Sequence, residues 1–192
     1  MSIDIYAIKV PIKAVYDNRA FWFQNPNNVR DLYDIDDDFF EFGPNRRPEN
    51  RVLNEIGWEC KEKYPIDKEL EEKHGYDYGP FRICDEHIPK IEKAIEEMDE
   101  YAKIQYEDFL HQIKDLMHFI PENVILKRIE ESQKELDSIM EVIDGTANND
   151  SPYAQCLEPV LYTWKNKYDC AIYDLKERLD AGGCWAIYLR HV

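Results

Sequence analysis

Apolar side chains recur every three or four residues through the middle of the chain. From Glu86 to Phe119 the intervals place these side chains on one helical face, with a single polar member, Gln105. The pattern predicts one coiled-coil-like helix over residues 86–119, about 50 Å long at ~1.5 Å per residue. Its seam consists of Ile88, Ile91, Ile95, Met98, Ala102, Gln105, Phe109, Ile113 and Leu116.

Two further seams follow and predict two more helices. The second helix starts at Pro121, which a first helical turn tolerates, and Gly145 is placed to end it. The third runs from Ser151-Pro152 to Gly182, and Pro159 either kinks it or marks its start. Short joints favour antiparallel packing of neighbours, although the joint at Pro121 also allows one kinked rod. The two seams are Ile125, Ile129, Ser132, Leu136, Ile139 and Ile143, then Leu157, Leu161, Trp164, Tyr168, Ala171, Leu175 and Leu179.

The two ends of the chain have the composition of strands. Residues 3–10 are rich in β-branched side chains, and residues 184–190 alternate after the helix-breaking pair Gly182-Gly183. The expected fold class is therefore α+β and mainly helical, an antiparallel helical bundle with a small sheet formed by the terminal strands. We expect a single domain over 1–192. Residues 1–85 would form a strand, short helices (one near 49–63) and loops, 86–181 the long helices, and 182–192 the last strand.

The first six residues carry the one family resemblance in the chain. The opening Met1-x-x-Asp4-Ile5-Tyr6 resembles the start of small uncharacterised proteins of phages and bacteria, which begin Met-x-x-Asp-Ile/Met-Tyr. The resemblance covers about six residues and implies no active site. It implies a phage or mobile-element origin.

Charge restricts the function more than any motif does. The chain has 40 acidic and 24 basic residues, a net charge of −16, and residues 86–145 contribute 16 of the acids and 7 of the bases. Such a surface repels nucleic acid and anionic membranes; it serves solubility and also suits a basic protein partner. We therefore expect a non-catalytic interaction protein of the inhibitor or immunity type, which could act by mimicking the charge of DNA. The expected binding residues are Glu96, Glu97, Glu100, Glu130, Glu131, Glu135, Phe21 and Trp22.

A stripe on the first long helix supports the alternative function, a metal-dependent enzyme. Glu107, His111, Asp115 and His118 are spaced 4, 4 and 3 residues apart, so all four lie along one helical stripe. Histidine and carboxylate groups bind zinc, iron or manganese. The two histidines, however, are two turns apart, and four ligands spread over three turns are too distant for one ion. A solvated polar face is the favoured interpretation, with no metal and no cofactor.

The cysteines and the N-terminus indicate the compartment. Five cysteines, with no CxxC pair, argue against a zinc ribbon or a thioredoxin-like site, and none has a catalytic signature around it. An acid at Asp4 is unlike a signal peptide, and no apolar run is long enough to span a membrane. We expect a cytoplasmic protein with reduced thiols, whose long helices also allow homo-oligomers.

Overall fold

The computed structural model describes residues 4–15, 38–63, 81–146 and 152–191. These residues form a small sheet and five α-helices, so the fold is α+β and mainly helical, as predicted. The strands are β1 (Asp4–Pro11), β2 (Asp38–Pro44), β3 (Phe81–Ile83) and β4 (Trp185–His191). The helices are α1 (Arg51–Lys63), α2 (Ile88–Glu96), α3 (Glu100–Met117), α4 (Glu122–Thr146) and α5 (Pro152–Ala181).

The sheet is antiparallel, with the strand order β2-β1-β4-β3. The two terminal strands occupy its centre, where Ile8 lies opposite Tyr188 and Val10 opposite Ala186. The predicted pairing of the chain ends is therefore confirmed. The sequence pattern did not predict β2 and β3, because β2 mixes acids with aromatics and β3 has only three residues.

One face of this sheet packs against three helices to form the main core. Ile5 of β1, Phe42 of β2, Leu53 of α1, Ile95 of α2 and Phe109 of α3 are all buried in it. Aromatic rings concentrate at its centre, where the rings of Phe42 and Phe109 meet edge to face with centroids 4.7 Å apart. These contacts hold α1, α2 and α3 in fixed positions on the sheet.

The prediction of one helix over 86–119 is wrong, because the chain breaks it in two. The helix α2 ends at Glu96 and α3 begins at Glu100. Between them Asp99 is extended, and its carboxylate accepts a hydrogen bond from the backbone N–H of Ala102 at 3.0 Å. That bond caps the first turn of α3, so the side chain of Asp99 favours a new helix start over continuation. The spacing of apolar residues continues across the break because both helices contact the same core.

An asparagine ties the start of α1 to its neighbours. The side chain of Asn50 is fully buried, and its amide nitrogen donates to the backbone oxygens of Phe42 at 3.2 Å and Pro44 at 2.8 Å. The hydroxyl of Tyr106, on α3, donates to the amide oxygen of Asn50 at 2.9 Å. Burial raises the pKa of the Tyr106 hydroxyl, and the nearby carboxylate of Glu49 adds to that rise. One amide thus joins β2, α1 and α3.

The helices α4 and α5 confirm the second and third predicted helices. They form an antiparallel hairpin in which α4 buries Ile125, Leu136, Ile139 and Ile143 of its predicted seam. Pro159 lies inside α5 and does not end it. The predicted terminator Gly182 follows α5 with a positive φ of 90°.

Gly183, after α5, forms a backbone hydrogen bond with Ile120, before α4. The N–H of Ile120 donates to the Gly183 carbonyl at 3.1 Å, and Gly183 has a φ of 103°, which L side chains rarely adopt. A Cβ atom at this position would lie 2.6 Å from the Ile120 oxygen. Only glycine fits here.

The chain divides into two compact units. One contains the sheet with α1, α2 and α3, and the other contains α4 and α5. The single domain over 1–192 stays a prediction. In the described ranges no helix combines the length and apolar character that crossing a membrane requires.

Candidate functional site

A long groove runs along the outside of the sheet unit, between α1, α2 and the start of α3. It encloses about 1160 Å³. Its apolar side chains come from all three helices and are buried or half-buried: Val52, Ala94, Met98 and Ala102. Val52 belongs to the main core and Ala94 and Met98 pack against it, so the apolar floor of the groove rests on packed side chains.

Carboxylates dominate the rim of this groove. Glu49, Glu55 and Glu59 stand on the α1 side, and Glu97 and Asp99 on the other, against the three bases Arg51, Lys90 and Lys93. Two of the three bases are committed to ion pairs, Arg51 with Glu55 at 2.9 Å and Lys90 with Glu59 across the helices. Within the described residues Glu97 forms no ion pair. Among the carboxylates, Glu49 lies 4.0 Å from Arg47 and Asp99 caps α3. The rim therefore has two more carboxylates than bases, most of them already engaged within the chain.

The structure places the six predicted glutamates on both units. Glu96, Glu97 and Glu100 are exposed around the junction of α2 and α3, and Glu97 lines the groove. On α4, three more are exposed: Glu130, Glu131 and Glu135. The aromatic binding candidates Phe21 and Trp22 lie outside the described residues.

Two of the α4 glutamates are balanced by lysines one turn away. The amine of Lys134 lies 2.7 Å from the Glu130 carboxylate, and Lys127 lies 3.6 Å from Glu131. The hydrogen bond from Lys134, with its charge, holds the pKa of Glu130 below its usual range. Ion pairs this exposed contribute little to stability, so they leave the side chains open to another partner.

The structure places three members of the candidate metal stripe, Glu107, His111 and Asp115, on α3, whereas His118 follows the helix in an extended conformation. Glu107, His111, Asp115 and His118 are all exposed, and the Glu107 carboxylate lies 4.0 Å from Lys103. No group of three His, Cys, Asp or Glu side chains that could hold a metal occurs within the part of the chain that the structure describes. This geometry gives the enzyme alternative no support.

The fold brings together one cysteine and one histidine that sequence reasoning did not pair. Cys60 of α1 and His87, just before α2, are buried with 4% and 3% exposure, and Sγ lies 4.0 Å from Nε2. They line a small pocket of about 300 Å³ with Lys63, Glu86 and Lys90. Twenty-seven residues separate the pair in sequence, and no local motif announces it, so only the packing of α1 on α2 could reveal it.

The hydrogen bonding of His87 decides what this pair can do. Its Nδ1 accepts the backbone N–H of Cys84 at 3.0 Å, so Nδ1 carries no proton and the neutral ring has its proton on Nε2. That proton faces the Cys60 sulfur and, at 3.9 Å, the Glu86 carboxylate. An Nε2 that already bears hydrogen neither removes the thiol proton nor binds a metal. His87 therefore caps the turn before α2 and packs against a thiol.

Comparison of the chain with protein-family models, with curated proteins and with solved structures finds no match.

Proposed function

We propose that this protein is a non-catalytic interaction protein that binds a basic partner protein and acts as an inhibitor or immunity-type factor. The observation that carries the proposal is the groove of the sheet unit, which combines an apolar floor with a carboxylate rim. A phage or mobile-element origin, implied by the resemblance of residues 1–6, fits a small factor of this kind.

The floor and the rim select different parts of one ligand. The floor accepts apolar side chains, and the thioether of Met98 adapts its shape to them. The rim carboxylates attract lysine and arginine side chains beside that apolar row. The ligand that satisfies both is an amphipathic basic segment, a helix or an extended peptide with apolar residues on one side and cations on the other.

The acidic surface outside the groove contributes mainly to the rate of association. Net charge of −16 attracts a basic partner over distances longer than any contact, and salt screens that attraction. The exposed Glu96 and Glu100 stand near the groove, and Glu130, Glu131 and Glu135 add to the field from α4. Electrostatic complementarity of this type raises the association rate and the specificity more than the affinity.

The test compares matched charge reversals inside and outside the groove. Glu55→Lys with Glu97→Lys changes two rim carboxylates, whereas Glu107→Lys with Asp108→Lys changes two exposed carboxylates of α3 that do not line the groove. A partner first captured from the native host would then be purified and its binding measured. We expect the rim variant to lose binding by at least about tenfold and the control to retain it, with weaker binding at higher salt.

Two results would refute the proposal in different ways. Equal losses in the rim and control variants would show that only total charge matters and that the groove is not the site. Binding that does not change with salt would remove the electrostatic explanation. Competition by duplex DNA for the purified partner would identify the partner as a DNA-binding protein and favour mimicry of DNA charge.

A further inference from the structure

His87 is a buried histidine whose ring holds the turn in front of α2. This turn is a single 3₁₀ turn over Asp85–His87, and two reciprocal hydrogen bonds close it. The backbone N–H of His87 donates to the carbonyl oxygen of Cys84 at 2.8 Å, and the backbone N–H of Cys84 donates to Nδ1 of His87 at 3.0 Å. The arrangement is a capping box in which an imidazole takes the position of the usual glutamate or glutamine.

The same ring is also a contact between α1 and α2. Its Nε2 lies 4.0 Å from Sγ of Cys60, on α1, and both residues are buried. The small pocket around them shares Glu59 and Lys90 with the groove, and these two side chains form an ion pair between the two helices. His87 therefore lies beside the contact that joins two walls of the groove.

Protonation of the ring is incompatible with the hydrogen bond at Nδ1. The neutral ring has its proton on Nε2, so a second proton can be added only to Nδ1. That nitrogen accepts the N–H of Cys84 and, once protonated, would be a donor that faces another donor at 3.0 Å. The imidazolium therefore requires the ring to leave Cys84. With 3% of its surface exposed, the ring would also carry its charge with little access to water.

The charged groups around the ring offset one another. The Glu86 carboxylate, 3.9 Å from Nε2, favours a charged ring, but it also lies 3.5 Å from the Lys63 amine, and its side chain is 45% exposed. Glu59 is paired with Lys90. Two carboxylates and two amines thus line the pocket, and they belong to Glu59, Glu86, Lys63 and Lys90.

The remaining titratable neighbours do not change this balance. The thiols of Cys60 and Cys84 are neutral in acid, and Asp85, in the turn itself, is exposed to solvent. On β3, the charge of Arg82 acts on Tyr188, which belongs to a separate buried cluster. Burial and the hydrogen bond at Nδ1 therefore decide that the folded chain disfavours a charged ring.

We propose that His87 is an acid-sensitive latch, whose protonation releases the turn before α2 and loosens the packing of α2 on α1. The unfolded chain takes up the proton near pH ~6.5, the ordinary value for histidine, whereas the folded chain takes it up only by breaking the latch. Below that pH the unfolded state binds more protons. The stability that the latch contributes is therefore present above pH ~6.5 and is lost as the pH falls.

The latch does not rest on the partner-binding function, because its release is measured on the protein alone. Its consequence for the groove is structural. The helices α1 and α2 supply two walls of the groove, so acid that loosens one from the other also changes the shape of the apolar floor between them.

The experiment compares urea denaturation of the purified full chain at about pH 7.5 and about pH 5.5, one unit on either side of the ordinary histidine value. The test variant is His87→Asn, because the asparagine amide oxygen can accept the N–H of Cys84 but takes up no proton in this range. The control variant is His111→Asn, since His111 is exposed on α3. Packing lost at residue 87 affects both pH values, so only the change between them is compared.

We expect acidification to raise the unfolding equilibrium constant of the wild type and of the control about ten times more than that of His87→Asn, because one pH unit below the histidine value favours the unfolded state about tenfold. Ring NMR signals of the wild type give a second measurement that needs no variant. In the folded chain the His87 ring should stay neutral at about pH 5.5, where the exposed His111 is mostly protonated.

Hydrogen exchange, corrected for its intrinsic dependence on pH, tests the release itself. The amides of Cys84 and of the first turn of α2 should lose protection in acid in the wild type and keep it in His87→Asn. The proposal would be overturned by equal acid sensitivity of the wild type and His87→Asn, or by a His87 ring that titrates together with His111 in the folded chain. Protection at Cys84 that does not change with pH in the wild type would overturn it as well.

Discussion

Removal of the Asn50 side chain should loosen the attachment of α1, which forms one wall of the groove. Asn50→Ala deletes three hydrogen bonds at once, two to the backbone oxygens of Phe42 and Pro44 and one from the hydroxyl of Tyr106. Alanine cannot replace any of them. The Phe42 oxygen and the Tyr106 hydroxyl that are left behind are buried, and the Pro44 oxygen is partly buried, so water does not fully compensate them.

The magnitude follows from the number of bonds. Each buried hydrogen bond contributes about 1 kcal/mol to stability, so Asn50→Ala should lower the free energy of unfolding by about 3 kcal/mol. A matched control lies four residues further along the chain, in α1. Asn54 donates one hydrogen bond, at 2.9 Å, to the backbone oxygen of Asn45 and is only partly buried, so Asn54→Ala should cost about 1 kcal/mol.

The assay is urea denaturation followed by circular dichroism for both variants. A double-mutant cycle adds Tyr106→Phe, which removes only the hydroxyl that bonds to Asn50. The losses of Asn50→Ala and Tyr106→Phe should not add, because both remove the same bond, and the difference should be on the order of 1 kcal/mol. Equal losses for Asn50→Ala and Asn54→Ala, or full additivity with Tyr106→Phe, would refute the role of Asn50 as the joint between β2, α1 and α3.

Further substitutions test the core, the buried phenol and the glycines. Ile95→Asp places a charge in the main core and should unfold the sheet unit; a variant that melts like the wild type would show that the seam is misassigned. Burial raises the pKa of Tyr188 to about 12, above the unfolded value of 10, so the unfolded state loses its proton first and stability falls as pH rises from 10 to 12. Tyr188→Phe should reduce that fall by about 2–3 kcal/mol in alkaline denaturation, whereas the exposed Tyr101→Phe should not change it. Gly183→Ala should lower the melting temperature because of its positive φ and its backbone clash, and Gly145→Ala, which meets no atom within 4 Å inside α4, should raise stability by about 0.5–1 kcal/mol.

Patterns of local sequence predicted most of the helices and the central strands. The seam of α4 required only periodicity, and Gly182 marked where α5 ends. The predicted seam of α5 is wrong in its first half, because Leu157 and Trp164 are exposed. The terminal strands followed from β-branched and alternating residues. Their pairing was also accessible, because two apolar strands at the ends of a chain need partners that cover them.

The break at Asp99 shows where periodicity misleads. Seam spacing continues through residues 97–99, because α2 and α3 contact the same core, so the hydrophobic pattern does not report the interruption. The signal was Asp99 itself, an N-cap residue three positions before Ala102, whose N–H it receives. Short strands such as β3 gave no signal, because three residues are too few for alternation.

Some features of the candidate site follow from the sequence, and others follow only from the tertiary structure. Sequence alone determined the acidic excess, the composition of each helix and the exposure of Glu96, Glu97 and Glu100, because charged side chains avoid burial. Tertiary structure decided that α1 and α2 stand apart enough to leave an apolar floor between them. It also decided that Cys60 meets His87. Composition and period are properties of neighbours along the chain, whereas a groove and a thiol–imidazole contact depend on residues that only folding brings together.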